Sequence, residues 1–141
     1  MKYLNPQRYL FTWVALLMLL ALEGCSVTPA RVYQAAETPE QKAFAVYGTF
    51  VVYEEQAAVL VQDERVPAGF KSWIKSADAR AKPLVDAMLE AALTVEQVRS
   101  DFAKGVTTLD KLVIVSMELD KWINRAVPAV EALVHAVKGA K

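Results

Sequence analysis

What constrains this chain most is the spacing of its apolar residues. From residue 38 onward they recur every three or four positions in three runs. Only two stretches interrupt them, residues 63–67 (Asp-Glu-Arg-Val-Pro) and residues 104–108 (Lys-Gly-Val-Thr-Thr). A strand buries alternate residues, whereas a helix of 3.6 residues per turn buries this three-and-four pattern. The first run holds Ala43, Val46, Phe50, Tyr53, Ala57 and Leu60. Beside it lies a second stripe of Phe44, Tyr47, Val51, Ala58 and Val61. So wide an apolar face is expected where a helix meets two neighbours. Residues 48–53 (GTFVVY) also carry β propensity. The start of the run decides for helix. Thr38 suits the N-cap, Pro39 suits the first helical position, Glu40 complements the positive helix end, and Gln41 completes a capping box.

The second run opens after Pro67. It reads Phe70, Trp73 and Ile74, Ala77, Ala81, Leu84, Met88, Ala91 and Ala92, Val95, Val98 and Phe102. Lys104 and Gly105 then supply a glycine stop. Pro83 sits inside this run. It removes one backbone hydrogen bond and crowds the carbonyl of Ala79, which predicts a kink or a break there. Thr107 or Thr108 caps the third run. That run continues through Leu109, Leu112 and Val113, Ser116, Leu119, Ile123, Ala126 and Val127, Val130, Leu133 and Val134 to Val137, with Pro128 inside it. Short connections between three long helices predict an all-α, up-down antiparallel three-helix bundle over residues 38–141. A full break at Pro83 would make it four helices. At 141 residues the chain has room for one such domain.

The N-terminal residues follow a different plan. Lys2 and Arg8 give a positive start. Residues 9–22 form an uncharged, mostly apolar stretch of 14, and Glu23, Gly24 and Cys25 close it. A bilayer span needs about 20 residues, while the apolar region of a secretory signal peptide runs to about 7–15. Leu22, Glu23, Gly24 and Cys25 resemble the lipobox of bacterial lipoprotein precursors, with Leu three before Cys and a small residue just before it. Glu23 departs from the pattern, which has a small or apolar residue there.

The resemblance implies that residues 1–24 are a signal peptide and that the Cys25 thiol receives a diacylglyceryl group. The new amino terminus, often acylated with a fatty acid such as palmitate, would then begin at Cys25. A single acyl chain holds a membrane only marginally, and two or more hold it stably. Ser26, where an Asp would mark inner-membrane retention, implies the outer membrane of a Gram-negative cell, facing the periplasm. Residues 25–37 would be the lipidated terminus and a tether. A flexible segment of that length spans about 20 Å.

Little in the rest of the chain points to chemistry. Lys+Arg and Asp+Glu are both 16, so there is no basic footprint for nucleic acid. The single cysteine excludes an internal disulfide and any cysteine-cluster zinc site. His135 is the only histidine. Its nearest helical carboxylate is Glu131, and it lacks the further groups that catalysis or metal binding needs. Glu54 and Glu55 are adjacent on a helix and point about 100° apart, so they form no facing acid–base pair. No phosphate-binding loop, dinucleotide fingerprint or nucleophile elbow is present. The domain is therefore read as non-catalytic, with no cofactor and no metal.

Aromatic residues carry the one sharper expectation. Tyr47, Phe50, Tyr53, Phe70, Trp73 and Trp122 either fill the core, or Tyr53 and Trp73 stay partly exposed and anchor a partner. The reading that follows is a lipid-anchored module of the cell envelope that binds another envelope protein. Small helical lipoproteins of this kind also occur in phages and prophages, and that origin stays open. The alternatives are a carrier of a small apolar ligand in the periplasm and a self-associating structural lipoprotein.

Overall fold

The computed structural model describes residues 36–140; Cys25, the leader and most of the tether lie outside the described residues. Three helices fill it: α1 (Pro39–Gln62), α2 (Ala68–Ala103) and α3 (Leu109–Gly139). There are no strands among the described residues. The helices pack on one another as an up-down-up bundle, and residues 48–53 are helical.

Each boundary has a local cause. The Thr38 hydroxyl accepts from the Gln41 amide at 3.2 Å. The Gln41 side chain accepts in return from the amides of Thr38 at 3.3 Å and Glu37 at 2.9 Å. Pro39 follows at the first helical position. Asp63 ends α1, and its carboxylate takes three hydrogen bonds from Arg65, one from the amide and two from the guanidinium. Val66 in this turn is buried. The second turn is a glycine stop. Gly105 has φ +71, the Val106 amide reaches the Asp101 carbonyl at 2.8 Å, and the Gly105 amide reaches that of Phe102 at 2.9 Å. This 6→1 and 5→2 pairing is a Schellman motif. Of the two threonines that could cap α3, Thr108 does so, accepting from the Lys111 amide.

Both internal prolines are accommodated without a break. α2 runs through Pro83 and α3 through Pro128, so the described residues form three helices and not four. Both rings lie on the exposed side of their helices. So do Ala79 and Asn124, four residues earlier, whose carbonyls lose their amide partners. Water can satisfy those carbonyls, and the long buried seam of each helix outweighs one lost bond.

That seam is narrow and rich in alanine. α2 buries Ile74, Ala77, Ala81, Val85, Met88, Ala92, Val95 and Val98. α3 buries Leu119, Ile123, Ala126, Val130, Leu133, Val134, Ala136 and Val137, and α1 adds Ala43, Val46, Phe50 and Ala57. On α2 it is Val85 that is fully buried, while the expected Leu84 is only half-buried. The wide apolar face expected of α1 does not go inward. Phe44, Tyr47, Val51 and Ala58 face out, with Val52 and Val59 beside them. One strip of α1 fills the groove between α2 and α3; of the adjoining stripe only Val61 packs on the core, and Phe44, Tyr47, Val51 and Ala58 stay exposed. By length and composition alone, α1 is apolar enough to cross a membrane.

Candidate functional site

Two ion pairs fix which residues share a level of the bundle. Arg99, near the end of α2, bonds to Glu40 in the first turn of α1. Lys82 lies 2.7 Å from Glu54. The start of α1 therefore lies beside the end of α2 and the 104–108 turn. The opposite end carries the α1–α2 turn, the start of α2 and the end of α3. Sequence reasoning missed both pairs, because each joins residues that are far apart in the chain. Glu40 was legible only as a helix-end charge, yet its side chain is 5% exposed.

Trp73 belongs to the opposite end. It is 44% exposed and packs on Phe70, with ring centroids 6.2 Å apart. Both rings lie over Gly139 near the end of α3. Tyr53 is half-buried against the core, beside the Glu54–Lys82 level. Lys82 is nine residues beyond Trp73 on α2, about 13 Å along the axis, so Tyr53 and Trp73 do not form one patch. Trp122 is half-buried on α3, with the Arg125 guanidinium 5.3 Å from its ring centroid. Phe50 is a core residue, while Tyr47 and Phe70 are exposed.

The shifted titratable groups fall in two local clusters, Glu54–Asp78–Lys82 and Asp63–Arg65. Asp78 lies on the Glu54–Lys82 side of α2. Burial pushes its carboxyl above the usual range, the Glu54 charge adds to this, and the Lys82 charge opposes it. One of its oxygens is buried without a partner. The Glu54 carboxylate in turn raises the Lys82 ammonium. The hydrogen bonds from Arg65 lower the Asp63 carboxyl to about 2. His135 is exposed on α3. Among the described residues no three of His, Cys, Asp and Glu come together as metal ligands would.

Two concave regions line the α2–α3 seam. The larger, of about 620 Å³, lies between the two proline turns. Ala77, Arg80, Pro83, Leu84, Arg125, Pro128 and Ala132 are among its walls. It is a groove open to solvent. The smaller, of about 230 Å³, is bordered by Glu90, Glu118 and Trp122.

A further exposed apolar surface lies elsewhere. At the Glu40–Arg99 end, Phe102, Val106, Leu109 and Val113 are exposed, and Ile114 and Met117 continue outward along α3. The sequence pattern had placed Phe102, Leu109 and Val113 in the inward stripes. These residues lie beyond or beside the level where α1 covers α2 and α3, so no third helix meets them.

Comparison of the chain with family models, with curated proteins and with solved structures finds no match.

Proposed function

We propose that the protein is a lipid-anchored component of a bacterial cell envelope, and that its bundle is a non-catalytic module for binding another envelope protein. The observation that carries the reading is the N-terminal sequence. A positive start and 14 uncharged residues end in Leu22, Glu23, Gly24 and Cys25, 13 residues before the Thr38 cap. This order matches a precursor that is cut before Cys25 and holds a folded domain close to a bilayer.

The bundle supports the second half of the reading. The outward face of α1 presents Phe44, Tyr47, Val51, Val52 and Val59, and the opposite end presents Trp73. Exposed aromatic and branched residues of this kind are what a partner's pocket takes up. The periplasmic face of an outer membrane is the location that Ser26 favours.

Cell fractionation tests the anchor. The native chain is expected in the membrane pellet, and the Cys25→Ala chain, uncleaved or released, is expected to lose the lipid. A native chain that carries no lipid would refute the reading. Photo-crosslinking in cells from Tyr47, Tyr53 and Trp73 tests the module. A discrete adduct from one face, lost when that face is made polar, is expected; adducts from no position would count against it.

The groove between Pro83 and Pro128 is where the carrier alternative would place its ligand. Its size falls within the range of small-molecule sites, about 300–1,000 Å³. Its openness favours the interaction reading, since a carrier encloses most of its ligand.

A further inference from the structure

We propose that the turn end of the bundle, carrying Phe102, Val106 and Leu109, sits in the surface of the bilayer to which Cys25 is anchored. The protein then stands tip-down on its membrane and does not swing freely from its tether. The proposal rests on the lipid-anchor reading and adds a second membrane contact to it.

Three observations carry it. The first is where the chain enters the domain. Ala36 and the Thr38 cap precede the Glu40 turn, which Arg99 holds to the end of α2. The entry point and the 104–108 turn therefore share one end of the bundle. Ala36 is eleven positions beyond Cys25. Even fully extended that stretch reaches only about 40 Å, less than the roughly 54 Å length of the 36-residue α2. The entry end is thus the end that the anchor keeps near the lipid.

The second observation is the exposure of the turn. In a Schellman motif the residue after the glycine commonly folds back on the helix it ends. Here that residue is Val106, which is 73% exposed, and Leu109 after it is 58% exposed. Phe102 lies one turn back on α2 and Val113 one turn on along α3, and both are exposed.

The third is reach. Interfacial apolar groups enter the headgroup–acyl boundary by about 5–10 Å. Val113 is four residues beyond Leu109, about 6 Å along α3, and Met117 is eight residues beyond, about 12 Å. An upright bundle therefore immerses Phe102, Val106 and Leu109, brings Val113 to the boundary and leaves Met117 outside.

The charges at this end are mixed: Lys104 and Lys111 against Asp101 and Asp110, with Arg99 paired to Glu40. Insertion is therefore driven by apolar contact and does not require anionic lipid. A second copy of the chain is a poor occupant. Even with Ile114 and Met117 added, six side chains on one turn and one helix face offer roughly a few hundred Å², against about 800 Å² per partner in a stable dimer.

The test uses the full lipoprotein purified from membranes, with its N-terminal peptide checked by mass, in phosphatidylethanolamine–phosphatidylcholine vesicles. Lipidation occupies the native thiol, so a single new cysteine takes an environment-sensitive fluorophore. Val106→Cys and Leu109→Cys probe the tip, and Glu64→Cys probes the opposite turn. The tip labels are expected to shift to the blue and to lose most of their emission to spin-labelled lipids, while the Glu64→Cys label does neither. Tip labels that report water while the lipidated protein stays on the vesicles would overturn the proposal and leave the anchor intact. A blue shift without lipid quenching would overturn it in favour of a protein cover. An unmodified Cys25 in the mass spectrum would overturn the anchor reading and this proposal with it.

Discussion

Replacing Arg99 by Ala should destabilise the bundle far more than replacing its partner Glu40 by Met. The asymmetry follows from burial. The Glu40 side chain is 5% exposed and that of Arg99 is 53% exposed. One Glu40 oxygen already has no partner, and Arg99 serves the other. Arg99→Ala leaves a carboxylate inside the bundle with neither oxygen bonded. Stranding a group in a fully buried pair costs about 3–5 kcal/mol. Water that enters where the half-exposed guanidinium stood reduces this to about 2 kcal/mol, within the range for a lost hydrogen bond to a charged group. Glu40→Met removes the buried charge and returns the guanidinium to water. It forfeits the favourable helix-end position of an acid, about 0.3–1 kcal/mol, and the Met side chain regains part of that through packing. The double variant should therefore be no less stable than Arg99→Ala alone. Urea unfolding followed by far-ultraviolet circular dichroism reads all three. In a domain of about 100 residues each kcal/mol also moves the melting midpoint by about 4–8 °C. Equal losses from the two single variants, or additive losses in the double, would refute the picture of a buried acid held by a surface base.

Two methionines provide a paired control on the core. Met88 is fully buried and Met117 is 67% exposed, so Met88→Ala should cost about 2–5 kcal/mol and Met117→Ala less than about 0.5 kcal/mol in the same unfolding assay. Two glycines should respond with opposite signs, since neither has an atom within 4 Å of an added side-chain carbon. Gly48→Ala, inside α1, should stabilise by about 0.5–1 kcal/mol, whereas Gly105→Ala, at φ +71, should cost about 1–2 kcal/mol. Asp78→Asn should raise the melting midpoint at neutral pH. The native Asp78 carboxyl is raised by burial and by Glu54, so its stability cost is complete above its folded value and fades as pH falls toward its unfolded value of 3.8. The advantage of the variant should disappear in melts recorded below that pH.

The helices were legible in the sequence because their signals are local. Thr38, Pro39 and Gln41 form a cap within four residues, Gly105 marks a stop, and the three-and-four spacing from Ile74 to Val98 needs no knowledge of a partner helix. What spacing could not reveal is how much of an apolar face is covered. Phe44, Tyr47 and Val51 on α1, and Leu109 and Val113 on α3, keep helical period and still face out. Their exposure depends on which helix lies opposite, a fact of packing. Proline also read more strongly than it acts. Pro83 and Pro128 lie on exposed faces, where water can take up the freed carbonyls, and both helices continue. The Glu40–Arg99 and Glu54–Lys82 pairs span 59 and 28 residues, beyond the reach of any helical rule. Of the expected partner-binding residues, Trp73 is exposed at one end and Tyr53 is half-buried further along, so the apolar surfaces of the bundle were visible in composition but not in location. Cys25, whose setting resembles a lipobox, lies outside the described residues.

The account stands on that cysteine. The most direct measurement is the mass of the intact protein and of its N-terminal peptide after purification from bacterial membranes. The account predicts a chain that begins at Cys25 and carries a diacylglyceryl group, with or without an added acyl chain. A chain that retains Met1 with an unmodified Cys25 would contradict it, and both the anchor and the tip-down orientation would fall together.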